Sequence, residues 1–175
     1  MPKRPAAIPQ ADLLMRRTAV ISDCGRYRYR LERRWDDGPM LTFCMLNPST
    51  ANAEVDDPTI RRCIGFAKRE GAGGLVVINL FALRATDPVK LRESEIHSYG
   101  PDNYSATDDA LCASRGAMPI VCAWGAHACA SRAAPAFLEI AAEVSARLVC
   151  LGRTQDGSPR HPLYVPKNQP FESFP

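Results

Sequence analysis

Four short apolar runs alternate along the chain with segments of helical periodicity. The runs occupy residues 40–46, 74–80, 118–124 and 146–152, and they consist almost wholly of apolar side chains. Short runs of this kind are typical of strands that are buried on both faces of a parallel sheet. The alternation predicts an α/β fold of three layers, in which helices cover a central, mostly parallel sheet of four strands.

A hairpin is predicted ahead of these runs. Residues 18–22 and 26–35 flank a turn at Asp23-Cys24-Gly25. The second stretch, RYRYRLERRW, alternates its side chains as a half-exposed strand does. We therefore expect an N-terminal antiparallel hairpin beside the parallel sheet.

Helices are predicted between the runs. The first begins at Asp57, whose side chain can cap it, and ends at Gly71. Residues 102–115 form the second predicted helix. The third covers the alanine-rich residues 126–145, where Pro135 is expected to break it because proline removes a helical hydrogen bond.

Length and composition indicate one domain at residues 16–175, preceded by a flexible, proline-rich arm at residues 1–15. The net charge of +3 permits a nucleic-acid partner without requiring one. Cys44, Cys122 and Cys150 lie inside apolar runs, where free cysteine behaves as a small buried residue. Because no targeting peptide or long apolar segment is recognisable, we expect a cytoplasmic protein without membrane contact.

Neither a metal nor another cofactor is expected. The three histidines, His97, His127 and His161, show no metal-ligand spacing. Two neighbouring carboxylates, Asp56 and Asp57, resemble a paired acidic site. Since Asp57 is already accounted for as a helix cap, only Asp56 remains as a weak candidate.

Five arginines crowd the predicted hairpin, and two interpretations stay open. They form a solvated face of the hairpin, or they help to hold an anionic partner. The residues concerned are Arg26, Arg28, Arg30, Arg33 and Arg34.

Polar or aromatic residues follow each apolar run. Asn47 ends the first run, Asn79 the second and Trp124 the third, and the fourth leads into a loop that carries His161. Ligands of open parallel sheets bind beyond the carboxyl ends of the strands, so these residues are predicted to share one rim. Structural alternatives also stay open. Asn47 can close an Asx turn, Asn79 can satisfy a loop backbone, and Trp124 and His161 can serve packing alone.

Five blocks of the sequence resemble the family called domain of unknown function 1643. They span nearly the whole stretch from residue 25 to residue 166, in the order MLNPSTANAEVDDPTIRRC, VVINLFALRATDP, GPDN, CAWG and GSPRHPLYVP. The family's name carries no activity, so this resemblance implies kinship without chemistry.

The same strand ends are similar to motifs of the uracil-DNA glycosylase superfamily. MLNPS resembles the loop after the first core strand, VVINLFAL resembles the strand end that reads a flipped pyrimidine, CAWG resembles a later strand end, and RHPLY resembles the late histidine loop. The resemblance implies a uracil-DNA-glycosylase-like fold. It also implies that Asn47 handles the attacking water, Asn79 reads the base and His161 contacts the base oxygen.

Residue roles follow from this resemblance. Asn47 and His161 are the predicted catalytic residues. An aromatic ring must stack on the base, and Phe66, Phe81 and Trp124 are the candidates. The predicted substrate-binding residues are Asn79, Ser49, Thr50, Trp124, Phe81 and Arg160. The predicted nucleic-acid-binding residues are Arg61, Arg62, Arg84 and Arg153.

Three functional hypotheses stay open. The MLNPST loop lacks the glycines of the superfamily loop, so the first hypothesis is an N-glycosidic bond hydrolase acting on single-stranded nucleic acid, a nucleotide or a nucleoside rather than on duplex DNA. The second is a binding module of the same fold, without catalysis, that recognises nucleic acid or a nucleotide. The third is an interaction scaffold with no active pocket. The oligomeric state stays open.

Overall fold

A computed structural model describes residues 15–87, 91 and 95–175 of the chain. The predicted arm at residues 1–15 lies outside this part of the chain, apart from Met15, which is buried. The strands are β1 (Arg16–Ile21), β2 (Arg28–Arg34), β3 (Met40–Met45), β4 (Gly74–Asn79), β5 (Ile120–Cys122), β6 (Leu148–Cys150) and β7 (Glu172–Ser173). The helices are α1 (Pro58–Arg69), α2 (Glu95–Ser98), α3 (Asn103–Ala113) and α4 (Ala130–Glu143), together with a 3-10 helix at Pro162–Tyr164.

The seven strands form one mixed sheet in the order β1-β2-β4-β3-β5-β6-β7. The prediction of an α/β fold is confirmed. The four strands β4, β3, β5 and β6 run parallel to one another, and β1 and β2 form the N-terminal hairpin. The sheet is larger and less parallel than predicted, because β2 pairs antiparallel with β4 and the C-terminal β7 pairs antiparallel with β6.

Helices cover both faces of the sheet, which gives the molecule three layers. On one face, Phe43 of β3 belongs to the same buried cluster as Phe66 of α1. On the other face, the next residue, Cys44, joins a cluster that includes Phe137 of α4. Successive residues of a strand point to opposite faces, so an uninterrupted apolar run is what a strand buried on both sides requires.

The parallel register aligns the carboxyl ends of the central strands. Met45 at the end of β3 lies opposite Asn79 at the end of β4. In the strand register, Cys44 lies opposite Cys122, and Cys122 lies opposite Cys150. The ends of β3, β5 and β6 are therefore also aligned with one another. These three cysteines are buried, as the sequence predicted. The residues that follow the strands are thus delivered to one edge of the sheet.

The ends of α1 follow the local sequence signals. The Asp57 carboxylate accepts a hydrogen bond from the Ile60 amide at 2.8 Å, and Pro58 occupies the first turn. Gly71 follows the helix with a φ of +76°, a conformation that favours glycine. Both predicted limits of this helix are confirmed.

The predicted break at Pro135 is wrong. Residues Ala130–Glu143 form one continuous helix, α4, with Pro135 inside it. Proline costs the helix one hydrogen bond to the carbonyl of residue 131. Ser131 and Pro135 are both exposed, so water can satisfy that carbonyl.

Two of the hairpin arginines are buried, which corrects the interpretation of a solvated face. Arg33 is 0% exposed, and its Nε donates to Asp56 at 2.7 Å while its Nη2 donates to the Asn52 carbonyl at 2.6 Å. Arg28 is 2% exposed and donates to the Ala51 carbonyl at 2.8 Å. Asp56 is therefore a structural partner of Arg33 rather than a free acidic site. Together the two arginines hold the loop between β3 and α1 against the hairpin.

Within residues 15–87, 91 and 95–175, no helix has both the length and the apolar composition needed to cross a bilayer.

Replacing Asp56 should destabilise the fold strongly. In an Asp56→Ala variant the Arg33 guanidinium stays buried without its counter-ion, which we expect to lower the free energy of unfolding by about 3–5 kcal/mol. Chemical denaturation followed by circular dichroism measures the change. The matched control is Glu70→Ala, which breaks a more exposed ion pair with Arg69 and should cost less than about 1 kcal/mol. Equal losses in the two variants would contradict this account of the loop.

Candidate functional site

A cavity of about 420 Å³ opens at the edge where the parallel strands end. Its volume lies within the range of about 300–1,000 Å³ that is usual for small-molecule sites. Several elements contribute to its wall: the ends of β3 and β4, the first turn of α1, the segment after β5 and the 3-10 helix. Five residues that the sequence predicted for the site line it together, namely Asn47, Ser49, Asn79, Trp124 and His161.

Asn79 is the most unusual residue of this cavity. Its side chain is 2% exposed, yet neither Nδ2 nor Oδ1 makes a hydrogen bond to any described residue. Burying an amide without partners costs free energy, so native proteins rarely retain one without a reason. The alternative that Asn79 satisfies a neighbouring loop backbone does not hold in the described part of the chain.

The backbone beside Asn79 is held in place by a second asparagine. The Asn103 side chain, at the start of α3, donates Nδ2 to the carbonyls of Asn79 and Leu80, at 3.1 and 3.2 Å. Asn103 belongs to the GPDN block, for which no site residue was predicted. A smaller cavity of about 240 Å³, on the side of α3 and α4, is also lined by Asn79 and Asn103.

Asn47 is fixed by its amide nitrogen. Nδ2 donates to the carbonyls of Ala85 at 2.8 Å and Pro48 at 3.1 Å. The Ala85 amide donates in return to the Pro48 carbonyl at 2.9 Å, which ties this loop to the segment after β4. These contacts define which end of the amide is nitrogen, and the Oδ1 acceptor makes no hydrogen bond to a described residue.

His161 caps the 3-10 helix, and this contact determines its tautomer. Nδ1 accepts a hydrogen bond from the Leu163 amide at 3.4 Å, so the neutral ring carries its proton on Nε2. Burial lowers the pKa of His161 below its ordinary value, and the nearby Asp57 carboxylate opposes that shift only in part. The ring is consequently a neutral N–H donor at physiological pH.

Two braces position the histidine loop against the rest of the cavity. Gly125 follows Trp124 with a φ of +75°, and its amide donates to the Pro159 carbonyl at 2.9 Å. Arg62 of α1 donates Nε to the Pro162 carbonyl at 3.2 Å. The loop is thus anchored to both the end of β5 and a helix on one face of the sheet.

Trp124 is the one of the three predicted stacking aromatics that lines the cavity. It is 4% exposed and packs edge-on against Phe137 and Phe174, so most of its ring belongs to the core. Phe66 and Phe81 are buried in the core clusters and do not line the cavity. Their rings contact other side chains of this protein: Phe81 packs in a tilted arrangement against Tyr99, and the guanidinium groups of Arg62 and Arg69 lie over the Phe66 ring.

The predicted nucleic-acid-binding arginines do not line the cavity. Each donates to a backbone carbonyl, and so each serves as a brace between loops or strands. The pairs are Arg61 with Asp56, Arg62 with Pro162, Arg84 with Gly25, and Arg153 with Ser173. Thr50 and Arg160, from the predicted substrate-binding set, are exposed and also lie outside the cavity wall.

Six polar residues of the cavity wall lie outside the predicted set of site residues: Arg28, Asp57, Thr59, Thr86, His127 and Tyr164. Asp57 had been assigned only its capping role, which it does fulfil. Tyr164 had a usable signal, because it lies three residues after His161 in the RHPLY block. Its ring is exposed and lies 5.5 Å from the His161 ring, which makes it a further aromatic at the cavity mouth.

The described residues include no group of three or more His, Cys, Asp or Glu side chains that could hold a metal ion. The polar groups that the described residues bring to the cavity are instead amides, a carboxylate, a guanidinium, hydroxyls and imidazoles. A cavity wall of this kind can hold a ligand through hydrogen bonds and charge.

Comparison with known proteins identifies the family but no activity. Residues 28–163 match the family described as Protein of unknown function (DUF1643). Because this match covers well over half of the chain, the chain belongs to that family. No curated protein and no solved structure matches it.

Replacing Asn79 with leucine should stabilise the fold, because it removes a buried amide that has no partner. We expect Asn79→Leu to raise the free energy of unfolding by about 1–3 kcal/mol. The matched control is Asn103→Leu, which should lower it, because two buried carbonyls then lose their donor. Denaturant titration measures both changes. A destabilised Asn79→Leu variant would mean that the Asn79 amide is satisfied within the fold.

The His161 side chain should titrate below its ordinary pKa of about 6.5. NMR of the imidazole Cε1 proton measures the midpoint, and the signal is assigned by its loss in a His161→Gln variant. An Asp57→Asn variant should lower the midpoint further, since Asp57 favours the protonated ring. Relative to His161→Gln, the protein should lose stability as pH falls from about 6.5 through the folded pKa, because the unfolded chain takes up the proton first. A midpoint above 6.5 would contradict the burial argument.

Proposed function

We propose that this member of the family recognises a nucleobase in the cavity and hydrolyses its N-glycosidic bond, in single-stranded nucleic acid or in a nucleotide. The observation that carries the proposal is the buried amide of Asn79, a residue of the cavity wall whose donor and acceptor have no hydrogen-bond partner among the described residues. An amide offers one donor and one acceptor side by side, which is the pattern that matches a nucleobase edge.

The neighbouring groups supply the chemistry that such a cleavage needs. As the bond between sugar C1′ and the base nitrogen breaks, the electron pair leaves with the base, and the sugar becomes positively charged. The neutral His161 ring donates Nε2–H to the base oxygen and so stabilises the developing negative charge. Water adds to C1′, and the departing base takes up the released proton.

Asn47 orients the water in this proposal. Its Nδ2 is engaged with two carbonyls, which leaves Oδ1 as an acceptor for a water proton. An amide is not a general base, so its contribution is position rather than proton transfer. The order of the four motifs along the chain, and their resemblance to the uracil-DNA glycosylase superfamily, support the same assignment of roles.

A second candidate function is binding without catalysis, by a module of the same fold. The observation that favours it is the state of the Asp57 carboxylate, which lies in the cavity wall and caps α1 by accepting a hydrogen bond from the Ile60 amide. A hydrolase of this type gains from a carboxylate that is free to take a proton from water. Asn47 and Asp57 are both held in place by hydrogen bonds, and polar groups in fixed positions are sufficient to recognise a ligand without catalysis.

Base release distinguishes the two functions. The protein is incubated with a single-stranded oligonucleotide containing one uracil, and separately with uridine 5′-monophosphate, and free uracil is measured by chromatography. We expect release, and an at least hundredfold lower rate in His161→Ala, because loss of one donor to a developing anion costs about 10²–10³ in rate. His97→Ala, which removes an exposed histidine on α2, is the matched control and should retain full activity.

The outcomes separate cleanly. Saturable binding of either probe without uracil release, lost in His161→Ala, would replace the hydrolase with the binding module. Neither release nor binding would reject both and favour the interaction scaffold. Release that persists in His161→Ala would refute the role of this histidine.

A further inference from the structure

Arg28 brings a buried positive charge to the cavity wall. It lies at the start of β2, is 2% exposed, and lines the cavity with Asp57 and Asn79. Burial lowers the pKa of Arg28 to about 10, which still leaves the guanidinium charged at neutral pH. Asp57 favours the charged form, and the neighbouring Arg84 and Arg33 disfavour it.

Most of the hydrogen-bonding capacity of this guanidinium is unused. Nη1 donates to the Ala51 carbonyl at 2.8 Å. Nε is buried without a partner, and Nη2 donates to none of the residues that the structure describes. A guanidinium has five N–H donors, and a buried charge with idle donors is costly unless something pairs with it.

The other buried arginine of β2 provides an internal comparison. Arg33 is paired with the Asp56 carboxylate and also donates to three backbone carbonyls, those of Thr18, Glu32 and Asn52. Its charge thus has a carboxylate partner within the fold, although Arg17 contacts the same carboxylate. Arg28 lies on the same strand and is similarly buried, but it makes no ion pair with any described residue. Arg28 also lines the cavity, whereas Arg33 does not.

We infer that the ligand of this cavity carries a phosphate group that pairs with Arg28, so that the substrate is a nucleoside monophosphate rather than a free nucleoside or a strand. This inference rests on the proposed function, since it places the base at Asn79 and His161. A guanidinium pairs with phosphate through parallel charge-assisted hydrogen bonds, which are stronger than neutral ones.

The choice of a free nucleotide over a strand comes from the other arginines. Arg61, Arg62, Arg84 and Arg153 each donate to a backbone carbonyl and lie outside the cavity wall, so none of them adds a second cation beside Arg28 for a neighbouring phosphate. Arg28 is the one buried cation that the described residues bring to the cavity, and one cation matches one phosphate.

Asp57 carries the opposing charge in the same wall. Its carboxylate caps α1, so the positive end of the helix dipole offsets part of its charge. The remaining repulsion should weaken phosphate binding. An Asp57→Asn variant retains a good cap and should increase the preference for the nucleoside monophosphate over the nucleoside several-fold.

Calorimetric titration with pseudouridine and pseudouridine 5′-monophosphate tests the inference. Their glycosidic bond is carbon–carbon, so an N-glycosidic hydrolase binds them without turnover. We expect the wild-type protein to bind the monophosphate at least tenfold more tightly than the nucleoside. In Arg28→Met this preference should disappear. In Arg28→Lys it should be partly retained, because lysine keeps the positive charge but lacks the parallel N–H donors of the guanidinium. The matched control is Arg147→Met, which removes an exposed arginine just before β6, at the opposite end of the parallel strands.

A third probe is a short single-stranded oligoribonucleotide with one internal pseudouridine, which should bind more weakly than the monophosphate. Equal wild-type affinity for nucleoside and monophosphate would overturn the role of Arg28 and leave the proposed function intact. Tighter binding of the oligonucleotide would overturn the choice of a free nucleotide. Binding of none of the three would reject the proposed function together with this inference. Circular dichroism shows whether Arg28→Met folds. If it does not, the wild-type preference for the monophosphate and the partial preference in Arg28→Lys still test the role of Arg28.

Discussion

The buried pairing of Arg33 with Asp56 is the contact on which the candidate site depends. The loop between β3 and α1 lacks regular secondary structure, so strand ladders cannot determine its position. Arg33 engages Asp56 and the Asn52 carbonyl near the end of this loop, and Arg28 holds the Ala51 carbonyl. Asn47 and Asp57 lie at the two ends of the same loop, so the cavity keeps its shape only while these arginines hold it. The burial of Arg33 is costly, and its pairing with the Asp56 carboxylate is what makes that burial tolerable.

The cavity itself lowers the stability of the fold. Asn79 and Arg28 are both nearly inaccessible to solvent and both keep polar groups unpaired at the cavity wall. Such groups reduce the free energy of unfolding, and residues of this kind concentrate at binding and catalytic sites. Asn103 points to the same conclusion, because it holds the backbone beside Asn79 and leaves the Asn79 side chain unpaired. The fold stabilises the position of this amide without satisfying it.

Much of the architecture follows from local patterns in the sequence. An uninterrupted apolar run indicates a strand that is buried on both faces. The four central strands could therefore be predicted from the pattern of apolar residues along the chain. The cap at Asp57 and the glycine after α1 act within a few residues, so the limits of this helix were also readable. The rule that parallel strands end at one edge then predicted that the residues following them would meet. Asn47, Asn79, Trp124 and His161 do line one cavity.

The sequence by itself therefore determined the central strands, the helices between them and the candidate residues that directly follow a strand. Tertiary structure alone decided the rest, because it depends on contacts between distant segments. It turned two hairpin arginines inward, one to Asp56 and one to the cavity, although alternation along β2 had suggested a solvated face. It buried Phe81 against Tyr99, and it engaged the surface arginines with backbone carbonyls of other segments. Periodicity shows that a side chain lies on a given face of a strand, whereas only the packed fold decides what that face meets.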